Sequence, residues 1–402
     1  MAERAEAAAL DAADELRAFH DRFVAADDGV VYLDGNSLGR LPRDTADRVA
    51  AVIESQWGER LIRAWGEGWM ALPLALGDRL GAELLGAGPG QVVVADSTTV
   101  CFYKLAHAAL DARPGRREII TDVDNFPTDR YVLEGLARQR DLTIRWIEAD
   151  PHAGPDPGQV ASLLSDQTAL VTFSHVNYRS AFILDAPAIT AMAHDAGALA
   201  LWDLSHSAGA IPVALDDDGI DLAVGCTYKY LNGGPGAPAF LYVRAELQDE
   251  VRQPIWGWLG RRDPFEMAPG YIPGEGIGAM LSGTPPVLAL TAVAAGLDLV
   301  VEAGIDAIRA KSIALTEYAI ALIDEWLAPL GCSVGSPREA ARRGSHVALV
   351  HPDARVLTQR LIADGVIPDF RTPDVIRLGL SPLTTHFTDV YDGLDRVRRL
   401  LS

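Results

Sequence analysis

The amino-acid sequence predicts an α/β protein with a mainly parallel sheet flanked by helices, followed by a smaller C-terminal α/β domain. Between about residues 90 and 243, short apolar or β-branched runs alternate with helical patterns, as in doubly wound sheets. Two long helical patterns follow, near 286–301 and 304–329, and residues 345–402 again alternate strand with helix. A length of 402 residues allows two such domains.

The N-terminal part of the chain contains two helical patterns and one strand. Residues 3–26 predict an amphipathic helix, 30–33 a strand and 45–57 a second helix. Trp65 and Trp69 then stand among glycines. They either line an aromatic pocket or belong to the core, which is the more common use of tryptophan.

The predicted central sheet takes its strands from short runs, several of which end in polar residues. Besides one helix at 185–196, these runs are 91–95, 118–121, 144–147, 169–173, 199–202 and 222–226. A long segment at 255–286 is irregular and rich in Gly, Pro and Trp. Long irregular segments inside a compact chain are often functional.

Two of these strands deliver chemically useful side chains. Strand 199–202 is followed by Asp203, and strand 222–226 is followed by Tyr228 and Lys229. Ligands of open α/β sheets bind at the carboxyl ends of the strands. We therefore expect Asp203 and Lys229 to face one crevice.

A carboxylate and an amine held in this way suit pyridoxal 5′-phosphate (PLP). The Lys229 amine can form a Schiff base with the aldehyde, and Asp203 can keep the pyridine nitrogen protonated so that the ring withdraws electrons. The same pattern also fits an Asp that caps a helix, a surface lysine and a Gly-rich turn at 233–236. The spacing alone leaves both interpretations open.

Residues upstream fit the same cofactor. Thr98 and Thr99 follow strand 91–95 at a predicted helix N-terminus, where free backbone N–H groups favour a phosphate. An ordinary cap from Asp96 or Ser97 is the alternative.

Three more side chains carry two interpretations each. Phe126 can lie over the pyridine ring or belong to the core, and Asp129 can contact the polar edge of the cofactor. Arg377 stands on an apolar strand, where a buried guanidinium needs an anionic partner. That partner is either a structural carboxylate or the carboxylate of a substrate.

Composition excludes several classes of protein. The net charge of −20 leaves no basic stripe for nucleic acid. The three cysteines are scattered and the nine histidines show no H-E-x-x-H spacing, so neither a metal site nor a disulfide framework is indicated. The acidic start lacks the pattern of a signal peptide, and the longest apolar stretch is too short to span a bilayer. We expect a cytoplasmic protein.

With these elements placed, the sequence resembles the kynureninase family, fold-type I PLP enzymes of the class V aminotransferase group. The resemblance covers almost the whole chain. It rests on motifs that occur in the family's order, namely YLDGNSLGRLP, DNFPTD, SHVNYRS, WDLSHSAGA, GCTYKYLNGGPG, GWLGR, SGTPP and IRLGLSPL. The first and the fifth of these are highly specific.

The resemblance implies a role for each matching position. Lys229, Asp203 and Tyr228 correspond to catalytic residues, although Tyr228 can equally serve only as a phosphate ligand. The implied cofactor contacts are Thr98, Thr99, Phe126, Pro127, Thr128, Asp129, Ser174, Asp203, His206, Tyr228, Lys229, Trp258 and Thr284. Arg377 resembles the clamp for the substrate α-carboxylate, and Asn36 and Trp65 match positions that border the substrate.

The implied reaction is hydrolysis of L-kynurenine to anthranilate and L-alanine in tryptophan degradation, with 3-hydroxy-L-kynurenine as a second substrate left open. Thr284 matches a residue that reaches the phosphate from the neighbouring subunit, which implies a homodimer with shared sites. Thr284 also resembles the bacterial branch, which favours kynurenine. Arg261 departs from the family, which usually has His there, so the fine substrate preference is in doubt.

Two rival functions remain. A cysteine desulfurase or selenocysteine lyase of the same fold needs a cysteine on a mobile loop, and Cys332 is the candidate. A non-catalytic binding protein on a PLP fold is the other, against which Lys229, Asp203 and Arg377 speak. The expected domains are an N-terminal segment at 1–50 that packs with the small domain, a large PLP-binding domain at 51–290, and a small domain at 291–402.

Overall fold

The computed structural model describes residues 3–25 and 29–402. Its strands form one large sheet, one small sheet and one isolated pair. In chain order they are β1 Val31–Tyr32, β2 Val92–Ala95, β3 Glu118–Asp122, β4 Thr143–Ile147, β5 Thr168–Ser174, β6 Leu199–Asp203, β7 Leu222–Gly225, β8 Ala239–Val243, β9 Ser333–Val334, β10 His346–Val350, β11 Val366–Ile367, β12 Asp369–Arg371 and β13 Val375–Gly379.

The helices fill the connections between the strands, and short 3₁₀ or π turns extend some of them. In chain order they are α1 Arg4–Ala13, α2 Thr45–Ala51, α3 Leu72–Leu80, α4 Thr98–Ala112, α5 Pro127–Arg140, α6 Pro157–Leu163, α7 Ala186–Asp195, α8 Val287–Ala303, α9 Ile305–Leu322, α10 Ala354–Ala363 and α11 Phe387–Leu401.

The large sheet has the strand order β2-β8-β7-β6-β5-β3-β4. Neighbouring strands are parallel except at β8, which is antiparallel to both β2 and β7. Every residue of β5, β6 and β7 is buried, as expected for strands covered by helices on both faces. The predicted mainly parallel α/β fold is confirmed.

The small sheet, β12-β13-β10-β9, is antiparallel throughout and packs against α9, α10 and α11. The N-terminal segment joins this part of the molecule, because β1 pairs in parallel with β11. Ala7 of α1 and Leu33 belong to the same apolar cluster as the small sheet. The domain boundaries given above stay a prediction.

The predicted helix over residues 3–26 is wrong in its length. Helix α1 ends at Ala13, and a separate 3₁₀ turn covers Arg17–Arg22. The break occurs because the carboxylate of Asp14 turns inward to Lys311 at 2.6 Å and accepts the backbone N–H of Leu16 at 3.0 Å. Residue 26 lies outside the described part of the chain.

The segment predicted as irregular, 255–286, contains only two short 3₁₀ turns, Trp258–Gly260 and Gly276–Met280. Within the described ranges, no single helix is long and apolar enough to cross a membrane. The consecutive helical stretches Val287–Ala303 and Ile305–Leu330 are long and apolar enough only when taken together, and a bend of 82° separates them.

Candidate active site

The candidate site lies where β5, β6 and β7 end side by side. Asp203 is the last residue of β6, and its register partners are Ser174 on β5 and Val224 on β7. Lys229 follows β7 after a short turn. Both Asp203 and Lys229 are buried, and both line one cavity of ≈ 520 Å³.

Nine of the positions predicted from the sequence line this cavity. They come from parts of the chain that are far apart, namely the start of α4, the start of α5, the ends of β6 and β7, and the segment before α8. They are Thr98, Thr99, Phe126, Thr128, Asp129, Asp203, Tyr228, Lys229 and Thr284.

Lys229 presents an amine without a bonded partner. Its Nζ lies 5.6 Å from the ring centroid of Phe126 and 5.9 Å from that of Tyr228. It makes no hydrogen bond or ion pair with any other residue that the structure describes. The loop that carries it is clamped by Gly39, whose N–H donates to the Tyr228 carbonyl at 2.8 Å. A Cβ on Gly39 would lie 2.3 Å from the Lys229 carbonyl oxygen, so only glycine fits.

Asp203 is held in place by its own backbone turn. Its Oδ1 accepts the N–H of Ser205 at 2.8 Å. Burial raises the pKa of Asp203, and the positive charge of Lys229 partly opposes that rise. A cationic ring nitrogen placed against this carboxylate would favour its charged form.

Asp129 is a second buried carboxylate, and both of its oxygens lack a hydrogen-bond partner among the described residues. Burial, followed by repulsion from Asp203, raises its pKa well above the usual range. A buried carboxyl without partners is costly unless a ligand supplies them. We take Asp129 as evidence that the cavity is built for a polar ligand.

The N-terminus of α4 forms another part of the cavity wall. Ser97 caps this 15-residue helix by accepting the N–H of Val100 at 3.4 Å, which leaves Thr98 and Thr99 in the first turn on the cavity wall. Hydroxyls and a helix N-terminus suit a phosphate, Lys229 suits an aldehyde, and buried carboxylates suit a ring nitrogen and hydroxyl. The residues present therefore fit PLP.

Two predicted cofactor contacts, Ser174 and Pro127, do not line the cavity but lie behind residues that do. Ser174 Oγ donates to Asn125 Oδ1 at 2.8 Å, and the same oxygen accepts the N–H of Phe126 at 2.8 Å. Pro127 opens α5 directly after Phe126. These contacts fix the ring of Phe126 against the cavity.

His206 is fully buried, and its Nε2 has no partner among the described residues. Burial and then the charges of Lys229 and Arg377 hold its pKa well below the usual range, so it is neutral. Its ring lies 5.6 Å from that of His346. His206 thus stands between the cavity and the small sheet without lining the cavity.

Tyr228 lies on the cavity wall with its hydroxyl partly buried. Burial, followed by the nearby Cys226 thiol, raises its pKa. A phenol with a raised pKa stays protonated, so Tyr228 can donate a hydrogen bond or a proton to a bound group.

Arg377 is fully buried on β13, and the protein itself occupies four of its five N–H groups. Its guanidinium donates from Nη1 to the Tyr178 carbonyl at 2.7 Å and from Nη2 to Ser37 Oγ at 2.7 Å, and it forms an ion pair with Asp369. With the side-chain amide of Asn36 oriented to satisfy both of its ends, Arg377 Nε donates to the Asn36 oxygen at 2.8 Å. We call these five residues the Arg377 network. It does not line the cavity.

The aromatic residues predicted near the substrate form a chain of edge-on contacts. Trp65 lies 5.8 Å from Trp258 and 6.1 Å from Trp69, and Trp258 lies 5.9 Å from Phe265. Neither Trp65 nor Trp258 lines the cavity of its own chain, so their predicted contacts stay predictions.

Arg261 and Thr284, the two positions linked to substrate preference, lie in different surroundings. Arg261 is bound within its own segment, by Glu266 at 2.7 Å and by the Asp263 carbonyl at 2.8 Å, and lies off the cavity wall. Thr284 lines the cavity of its own chain, where it can meet a phosphate without a second subunit. Its sharing between subunits stays a prediction.

Cys332 is buried in the apolar core of the small domain. Burial raises its pKa to about 11, which leaves little thiolate at neutral pH. It does not line the cavity. This placement disfavours the desulfurase alternative.

Several residues that support the site were not predicted from the sequence. Asp369 pairs with Arg377 across β12 and β13, and Ser37 bridges the two. Asn125 positions Phe126 from within the motif DNFPTD, and that motif was the one available signal for it. Asp96 lines the cavity, and the buried Lys104 forms an ion pair with it at 2.6 Å.

Known proteins match this chain along its whole length. The family model for the kynureninase C-terminal domain matches residues 308–397. A kynureninase of Burkholderia pseudomallei is 45% identical over 100% of this chain and 96% of its own length. A kynureninase of Pseudomonas fluorescens is 44% identical with the same coverage.

Solved structures agree on the fold. A cysteine desulfurase from Thermococcus onnurineus superposes with a TM-score of 0.79 at 19% identity, covering 92% of this chain and 94% of that one. The cystine C-S lyase C-DES reaches 0.82 at 18% identity, covering 92% and 98%. Such identities establish only the fold. The full-length identity to curated relatives goes further, and the chain belongs to the kynureninase family.

Proposed function

We propose that this protein is a PLP-dependent kynureninase, which hydrolyses L-kynurenine with one water to anthranilate and L-alanine. The observation that carries the proposal is the cavity in which the unbonded amine of Lys229 meets the buried carboxylates of Asp203 and Asp129. The 45% identity to a curated kynureninase along the whole chain supports the same reaction.

PLP, when bound, supplies a carbonyl for the amine of the substrate and a ring that accepts the electrons of the broken bond. Lys229 would hold the cofactor through its amine, and the same amine would move the proton at the substrate Cα. Asp203 keeps the ring nitrogen protonated. Phe126 packs against the ring, and Thr98 and Thr99 hold the phosphate.

The hydrolytic half of the reaction needs a proton donor near the γ-carbonyl of the substrate. Tyr228 lines the same cavity as Lys229, and burial raises its pKa further above that of an ordinary phenol, so the hydroxyl keeps its proton at neutral pH. We assign it the transfer of a proton to the fragment that becomes L-alanine, where the Cβ–Cγ bond breaks.

The carboxylate of the substrate is assigned to the Arg377 network. Arg377 has five N–H groups, of which Tyr178, Ser37, Asp369 and Asn36 occupy four. A bidentate clamp needs two, so the substrate must displace one of these partners. Asn36 and Trp65 then border the substrate.

We further propose a cytoplasmic homodimer. Large apolar side chains are exposed in the helical turns at 52–63 and in the irregular segment at 255–286, including Trp57 at 58%, Ile62 at 75%, Trp256 at 65% and Met267 at 73%. A second copy of the chain would cover such side chains if they lie together in one patch. The dimer is checked by sedimentation. Sharing of Thr284 is checked by mixing Lys229→Ala and Thr284→Ala chains, and recovered activity supports sharing.

The central test incubates the purified protein and PLP with L-kynurenine, and separately with 3-hydroxy-L-kynurenine, while anthranilate fluorescence and alanine are followed. We expect both products from L-kynurenine. Lys229→Ala should abolish turnover, whereas Arg261→His, which lies off the cavity, should retain it. A wild-type protein that binds PLP but releases no anthranilate would contradict the proposal.

A further inference from the structure

The cavity has an unfavourable charge balance for a phosphorylated ligand. Asp96 lines it together with Asp129 and Asp203, two carboxyl groups whose pKa values are raised, and Lys229 is the one basic side chain among its described lining residues. The phosphate of a cofactor carries close to two negative charges at neutral pH. A phosphate held by Thr98 and Thr99 would lie close to Asp96, which precedes Thr98 by two residues and lines the same cavity.

The backbone conformation of Asp96 is constrained. Its backbone adopts a left-handed conformation with φ of 52° between β2 and the helix cap, and its carbonyl accepts the N–H of Ala239 at 2.9 Å. Only a few residue types, Asp among them, tolerate this conformation. The backbone of Asp96 is thereby held at the wall of the cavity.

Lys104 compensates this carboxylate from behind. Its side chain is 0% exposed, and its Nζ lies 2.6 Å from Asp96 Oδ2. The same amine donates to the Met280 carbonyl at 2.7 Å. Met280 leads into the segment that carries Thr284, so one ammonium joins helix α4, the turn at Asp96 and the facing wall.

The choice of lysine is unusual for this chain. Of 35 basic residues only three are lysines, namely Lys104, Lys229 and Lys311, and all three are buried. A compact ammonium fits between one carboxylate and one carbonyl, where the planar fork of Arg does not. Lys104 is therefore not an interchangeable surface cation.

We propose that Lys104 is a positioning residue for the cofactor phosphate, which neutralises Asp96 and thereby makes the N-terminus of α4 able to accept a dianion. Lys104 touches neither the substrate nor the reacting atoms. Without its ammonium, the partly exposed carboxylate of Asp96 would stand as an uncompensated negative charge close to the phosphate and repel it.

The test compares PLP with pyridoxal, which lacks only the phosphate. The apoprotein of Lys104→Met is titrated with each, and binding is followed by visible absorbance. We expect the Kd for PLP to rise roughly ten- to a hundredfold, as for one unscreened charge a few ångströms away. The Kd for pyridoxal should stay unchanged.

Two further variants keep the test decisive if Lys104→Met folds poorly. Asp96→Asn removes the repelling charge and should bind PLP at least as tightly as the wild type. The double variant Lys104→Met/Asp96→Asn should recover most of the lost PLP affinity. Lys311→Met is the matched control, because it breaks a buried pair with Asp14 at 2.6 Å outside the cavity. It should lower the melting temperature and leave both affinities unchanged.

If Lys104→Met weakened the binding of PLP and of pyridoxal equally, Lys104 would have only a structural role and the inference would be overturned. A double variant that shows no recovery, or weaker PLP binding by Asp96→Asn, would overturn it as well. The inference rests on the proposed function only in taking PLP as the ligand. A wild-type protein that binds neither PLP nor pyridoxal would instead overturn the proposed function. The readout of this test is cofactor affinity and not kynurenine turnover.

Discussion

The cofactor cavity and the Arg377 network differ in how their polar groups are satisfied. In the cavity, neither the Lys229 amine nor the two carboxylate oxygens of Asp129 have a hydrogen-bond partner among the residues that the structure describes. In the network, Arg377 uses four of its five N–H groups on the protein itself. The cavity thus holds open positions for a ligand, whereas the Arg377 network is mostly occupied by contacts within the protein.

This difference has an energetic meaning. Groups left without partners in the cavity cost stability that a bound cofactor returns, so cofactor binding should stabilise the fold. The Arg377 network is stable alone, and a substrate carboxylate gains only the difference between its own contacts and those it displaces. Cofactor binding should therefore be tight, and substrate binding moderate.

The largest expected effect is in the cavity. Asp203→Asn replaces the carboxylate by an amide that cannot stabilise a protonated ring nitrogen. We expect kcat with L-kynurenine to fall roughly a hundredfold, as for the loss of one buried charged partner. PLP should remain bound. Near-wild-type kcat would show that the charge of Asp203 does not act on the ring.

The next effect is in the network. Arg377→Lys loses the planar guanidinium group. We expect kcat/KM for L-kynurenine to fall by a factor that corresponds to roughly 1.5–3 kcal/mol of lost binding free energy. The melting temperature should fall as well, because the network is structural. Unchanged catalytic efficiency, at any stability, would remove Arg377 from the site.

Asp369→Asn separates competition from support within the network. The neutral amide releases the guanidinium, so the KM for L-kynurenine should fall by about threefold, as expected from weakening one charge-assisted hydrogen bond. The melting temperature should fall with it. A KM that rises instead would mean that Asp369 is needed to orient Arg377 rather than being displaced from it.

The smallest effect is a pH dependence at the edge of the network. Burial, as the largest cause, raises the pKa of Asp34 to about 6. Its contribution to stability is therefore full below the unfolded pKa and is lost as the pH rises through 6. Asp34→Asn should gain about 1 kcal/mol on the wild type between pH 5 and 8. A difference in melting temperature that stays flat over this range would contradict this assignment.

The sequence predicted the cavity better than the network for a physical reason. Asp203, Lys229 and Thr98 follow strands directly, so local pattern and the rule for strand ends place them together. The partner of Arg377 depends on the antiparallel register of β12 with β13, which places Asp369 opposite it. Local sequence does not encode that register.

The early end of α1 has the same origin. Residues beyond Ala13 keep a helical pattern, but Asp14 is drawn inward by Lys311, which lies in a helix of the small domain. The distant ion pair overrides the local propensity. Lys104 escaped notice in the same way, because its two partners lie on other elements.

Reductive trapping of the cofactor tests the account most directly. Borohydride fixes PLP covalently to the lysine that holds it, and peptide mapping of a chain with three lysines is unambiguous. The open amine in the cavity predicts a label on Lys229 alone, with Lys104 and Lys311 unlabelled because Asp96 and Asp14 hold their ammonium groups. A label on Lys104 or Lys311, or PLP bound without any trapped lysine, would contradict it.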